Sequence, residues 1–197
     1  MDGLTIMDKI VPFSFLIGKD PDKPDLDRDA LRKAAGQMAD AVHSVAWEAP
    51  YDQAFQAMNA IVFFNGSIPF NGATVSRPFS DQPNGVFYWQ AGEFMNEWEP
   101  SWRATYYLHD CWHVMQFRER GLSADLQEEI DREVDAMDRQ IEVANILNCG
   151  PTLLKFLTDY RADRNAIEAR IKDGFVPGVP CTQCKAGPEM KAPAADA

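Results

Sequence analysis

The chain has 197 residues, 46% of them apolar, with 5 Trp, 5 Tyr and 12 Phe, which is enough for one well-packed domain. A net charge of −11 argues against partners such as nucleic acid or an anionic membrane surface, both of which call for an excess of Lys and Arg. No apolar run reaches the length of a membrane span, and four cysteines at 111, 149, 181 and 184 are too few and too scattered for a disulfide framework, which favours a reducing, cytoplasmic setting.

The first segment, MDGLTIMDKIVPFSFLIGKDPDK, has an apolar patch behind an acid and no small-residue cleavage site, and reads as a mature N-terminus. A helix is expected over 25–48, with acids in its first turn and an apolar stripe of Leu26, Ala30, Ala34, Met38, Ala41 and Val45. A second, more apolar helix is expected to open at Pro50 and run through the stretch PYDQAFQAMNAIVFF. Residues 65–85, with Asn-Gly three times and three prolines, read as loop. VFYWQ and EFMNEW are short strands in the sequence pattern, joined through Ala91-Gly92 as a hairpin.

Helical spacing returns over 101–119 and stops at Gly121. Another helix is expected over 123–148 with Ser123 as N-cap, and a last one over 152–172, ending at Gly174. Residues 1–175 thus form a single domain, and 176–197, rich in Pro, Gly and Ala, a flexible tail. Cys181 and Cys184 form a C-x-x-C in that tail, half a zinc-ribbon site at most, without the strand–helix setting of a thioredoxin motif.

The stretch that carries chemistry is YYLHDCWHVMQFRERG, residues 106–121. His109 and His113 are i and i+4, so on a helix they project from one face within reach of a common ion. Zinc accepts imidazole nitrogen well, and a helical pair supplies two of its four positions. The same face carries Trp102, Tyr106 and Gln116, so it is expected to be buried or to line a cleft. A third ligand must come from elsewhere. On the following helix Leu126, Ile130, Met137, Ile141 and Ala144 all fall within about 80° of Glu133 at 100° per residue, whereas Asp131, Asp135, Asp138 and Glu142 face the other way. Glu133 is thus an acid on an apolar stripe, and a buried acid needs a strong partner. A dication is one such partner; Arg103, Arg118 or another arginine is the competing one.

These residues resemble the glutamate-zincin metallopeptidases, of which thermolysin is the familiar member. H-D-x-x-H stands where that family has H-E-x-x-H, and Glu133-Val134-Asp135-Ala136 matches its Glu-x-x-Ala. YYLHDCWHVMQ also resembles small bacterial zincin-like domains that read roughly H-E-φ-x-H-V-φ-Q, where φ is apolar and a short strand lies just upstream. The resemblance covers roughly residues 85–140. It implies an α+β fold, a mostly helical zincin-like domain with a small antiparallel β element upstream of the metal-binding helix. It also implies zinc on His109, His113 and Glu133, a peptide or protein substrate, and Asp110 as the general base acting on a zinc-bound water. Aligning DREVD with the EREAD of some relatives would instead make Asp131 the ligand. Asp110 is one methylene shorter than the family's glutamate, which sets its carboxylate about 1.5 Å farther back, and proton transfer needs hydrogen-bond reach. Tyr160, Arg161, Arg164, Tyr88 and Tyr106 are the side chains that could face an oxyanion.

Two other readings compete. In an HD-type metal phosphohydrolase, His109-Asp110 would be the doublet, His43 the additional histidine and Asp159 or Asp163 the last acid; this leaves His113 and Glu133 idle and lacks a basic phosphate pocket. In a helical binding domain, the pair would be structural or would bind metal without turnover.

Overall fold

Ile61, Val62 and Phe63 are three consecutive buried residues, a pattern that a strand covered on both faces produces because its side chains alternate. They belong to a strand, Met58–Asn65, where a helix is expected from sequence. The computed structural model describes residues 3–6, 9–17, 27–47, 50–65, 72–76, 84–90 and 99–172. Its elements are β1 (Gly3–Ile6), β2 (Lys9–Ile17), α1 (Arg28–Val45), α2 (Tyr51–Ala57), β3 (Met58–Asn65), β4 (Gly72–Ser76) and β5 (Asn84–Gln90), then α3 (Pro100–Arg120), α4 (Leu126–Ile146), α5 (Pro151–Ala162) and α6 (Arg164–Lys172).

Helices predominate among the described residues, but the β element is larger than the expected hairpin. Five strands form one sheet in the order β1-β2-β3-β5-β4. β3 runs parallel to β2, with Phe13 opposite Ile61, and parallel to β5, with Ile61 opposite Phe87. β4 closes one edge antiparallel to β5, with Thr74 opposite Val86, and β1 the other, antiparallel to β2. A parallel pair needs a crossover, and α1 and α2 supply it between β2 and β3. VFYWQ is therefore a strand as expected, but its antiparallel partner is β4, drawn from the stretch read as loop; EFMNEW lies outside the described residues, as do residues 173–197 with Cys181 and Cys184.

α1 starts where Asp27 accepts the backbone N–H of Ala30 at 2.9 Å. It buries Leu31, Ala34, Ala35, Met38, Ala39, Val42 and Val45, a stripe rotated from the expected one, with Ala30 and Ala41 only half-buried. This face joins Phe55, Phe63, Phe87, Trp89 and Tyr107 in the main core. Phe87 and Trp89, two apart on β5, share one face. Tyr107 of α3 meets Phe87 edge-on at 5.4 Å between ring centres, and Tyr106 meets Trp89 at 5.5 Å.

α3 packs against α1, α2 and α4 and against β4 and β5. Thirteen of its residues are consequently buried, with the polar Arg103, Thr105, His109, Asp110 and Gln116 among them. It ends where Gly121, at φ 74° and ψ −159°, donates its N–H to Phe117 O at 2.9 Å. Open space surrounds the position a Cβ would take there, so the demand for glycine comes from the backbone alone. Gly121→Ala is expected to cost about 1–3 kcal/mol through that φ/ψ, read from urea unfolding at constant slope.

The N-cap of α4 is Asp125 and not Ser123. Asp125 accepts the N–H of Glu128, and Glu128 reaches back to the N–H of Ala124, both at 2.8 Å, a reciprocal arrangement of the capping-box kind. Ser123 donates instead to Glu129. Arg132 ties the turn from inside, donating to Gly121 O at 2.7 Å and to Glu128 at 2.6 Å. A connection this short makes α3 and α4 run back along each other. His113 lies about two turns before α3 ends and Glu133 about two turns after α4 begins, which sets them level.

The expected last helix is two. Its break is at Asp163, whose side chain accepts the N–H of Ala166 at 3.0 Å and so starts α6 in place of continuing α5. Ile167 and Ile171 of α6 then bury against Ile130 of α4. Among the described residues no helix is long and apolar enough to cross a membrane.

Candidate metal centre

The α3–α4 hairpin brings His109, His113 and Glu133 together, with one ligand atom of each within 4.8 Å of the others. His113 Nε2 lies 3.0 Å from His109 Nε2 and 3.0 Å from Glu133 Oε2, and His109 Nε2 lies 3.7 Å from the same oxygen. Zinc bonds of 2.0–2.1 Å at tetrahedral angles separate ligand atoms by about 3.3 Å, and the three observed spacings bracket that value. The donor set, two imidazole nitrogens and a carboxylate oxygen, is one that zinc accepts. The residues therefore fit the ion. Among the described residues these three are the only such group. The site opens on one side: the His113 side chain is 28% exposed, against 8% for His109 and 5% for Glu133.

Electrostatics bind the group tightly. Burial pulls the His113 pKa down, but the hydrogen bond and charge of Glu133, and the charges of Asp110 and Glu129, outweigh it and raise it to about 9. Burial pushes Glu133 up, yet Arg170 and the two histidines hold it well below the usual carboxylate range. Arg170, from α6, donates to Glu133 Oε1 and lies over the Tyr160 ring at 5.4 Å. Glu133 thus has the arginine partner that the sequence left open, and it is neither Arg103 nor Arg118. One oxygen takes Arg170 and the other faces the histidines. Arg170→Met leaves Glu133 buried with less of its countercharge. Breaking a buried pair costs about 3–5 kcal/mol; with His113 still in place, a loss near the lower figure is expected in urea unfolding of metal-stripped protein.

Asp131 stands elsewhere. Its side chain is 59% exposed and pairs with Arg164. Asp110 is buried beside the histidine pair, and its charge bears on His113. His43 is exposed on α1 and accepts a hydrogen bond from Trp47 at 3.1 Å. Asp159 is exposed and pairs with Lys155 at 2.6 Å, and Asp163 caps α6, so the set that an HD-type site would need is not assembled. Arg161 is engaged with Asp138 at 2.7 and 2.9 Å. Tyr106 packs on the aromatic core, and the Tyr88 side chain lies outside the described ones. Tyr160 adjoins the site through Arg170.

Sequence reasoning missed three participants. Arg170 is 37 positions from its partner and gave no local signal. Asp135, assigned to the solvated face, accepts from Trp112 Nε1 at 2.8 Å and from Gln116 Nε2 at 2.9 Å. Gln116, 3.1 Å from His113 Nδ1, was visible only as a polar residue on the histidine face. Compared with protein-family models, curated proteins and solved structures, the chain matches none.

Proposed function

We propose that the protein is a zinc-dependent hydrolase of zincin type, and within that class a peptidase. The observation that carries the reading is the convergence of His109 Nε2, His113 Nε2 and Glu133 Oε2 at ligand spacing on a site that opens beside His113. Zinc held there would supply Lewis acidity, polarising a carbonyl and acidifying water. Asp110 would take the proton of the attacking water and return it to the leaving amine. Arg170 would keep Glu133 ionised and aimed. The choice of a peptide or protein as substrate rests on the resemblance over residues 85–140. The cytoplasmic setting is supported by free thiols at Cys111 and Cys149.

A second reading has an observation of its own. Arg170, Glu133 and a protonated His113 would form a continuous, partly buried ion-pair chain, which would satisfy Glu133 with no metal at all. Metal content separates the two. Natively purified protein is expected to hold close to one equivalent of zinc by elemental analysis. Metal-free wild type whose stability does not respond to chelator or to added zinc would leave the ion-pair reading.

A further inference from the structure

The two histidines differ in what holds their second ring nitrogen. His109 Nδ1 is buried with no hydrogen-bond partner among the described residues. His113 Nδ1 lies 3.1 Å from Oε1 of Gln116, which is 1% exposed. The orientation of that amide follows from its other neighbours. Its nitrogen end sits 3.1 Å from Arg132 O and 2.9 Å from Asp135 Oδ2. A backbone carbonyl and an ionised carboxylate only accept, so the end facing them is the NH2 and the oxygen faces His113. Asp135 is held in turn by Trp112 Nε1 at 2.8 Å.

We propose that Gln116 is a positioning residue of the metal centre. It accepts a hydrogen bond from His113 Nδ1–H and thereby leaves Nε2, the atom that faces His109 and Glu133, as the one that gives up its proton to bind the ion. A neutral imidazole carries one proton, and the nitrogen without it is the ligand. Among the described residues only His113 of the two has this device, and it is also the more exposed. Asp135 and the Arg132 carbonyl keep the amide from flipping. This inference rests on the zinc reading above.

The test uses full-length, zinc-loaded protein labelled with 15N in histidine. In the wild type His113 is expected to ligate through Nε2 and to show an Nδ1 proton protected from exchange with water. Gln116→Leu is expected to lower zinc affinity about 10–100-fold, the usual weight of such outer partners, and to speed exchange of that proton while the folded spectrum persists. Ligation through Nδ1, or a freely exchanging Nδ1 proton in the wild type, would overturn the proposal without need of any variant, which covers the case in which Gln116→Leu does not fold. Wild-type affinity in a folded Gln116→Leu would overturn it too, leaving the zinc reading intact. A wild type that takes up no zinc would overturn both.

Discussion

His113→Ala and Glu133→Ala are each expected to weaken zinc binding on the order of a thousandfold or more, since outer partners alone account for about 10–100-fold and these variants remove a ligand outright. Asp131→Ala is expected to leave affinity close to wild type. The contrast follows from position: Glu133 is 4% exposed with one oxygen 3.0 Å from His113 Nε2, whereas Asp131 points to solvent and pairs with Arg164. Competition titrations with a chromophoric chelator measure all three variants on one scale. Glu133→Ala also strips Arg170 of its buried partner, so unfolding is followed in parallel to separate lost ligation from lost structure. If Asp131→Ala loses zinc and Glu133→Ala keeps it, the EREAD-type alignment is the right one and the assignment made here is wrong.

The second large effect concerns Asp110. Asp110→Asn is expected to retain zinc and to lose hydrolysis by about 10²–10⁴-fold, the usual weight of a general base. It lies about 100° round the helix from His109, the relation that the zincin glutamate has to its first histidine, and it is buried beside the pair. Asp110→Glu is expected to keep or raise activity by restoring reach. The added methylene must fit a packed position, where overpacking costs about 1–3 kcal/mol, so thermal unfolding accompanies the assay. Full peptidase activity in Asp110→Asn would place the base elsewhere. If neither wild type nor Asp110→Glu cleaves an unfolded protein or a peptide library, a metal-binding, non-hydrolytic role is the better reading.

The histidine pair was legible because i,i+4 spacing is a local property of one helix, and the stop at Gly121 because a positive φ selects glycine. Glu133 was legible for a related reason: helical periodicity alone places it on a buried stripe, and the structure buries it. The same periodicity failed for Asp135. It reports the mean direction of a side chain from its own axis and cannot know that Trp112 and Gln116 reach across from α3 to meet it.

Residues 58–65 mark the opposite limit. A strand buried on both faces and a buried helix are both continuous apolar runs, and only the parallel pairing of β3 with β2 and β5 separated them. β4 was hidden because Asn-Gly and proline, both turn signals, flank it, although its partner β5 is the next strand along the chain. The sequence by itself thus determined the local parts of the site: two nitrogens on one helical face and an acid aimed inward from the next helix. Tertiary structure alone decided that this acid also takes Arg170, and that Gln116 is held with its oxygen toward His113. Both depend on contacts made when separate helices pack, which residue spacing along the chain does not encode.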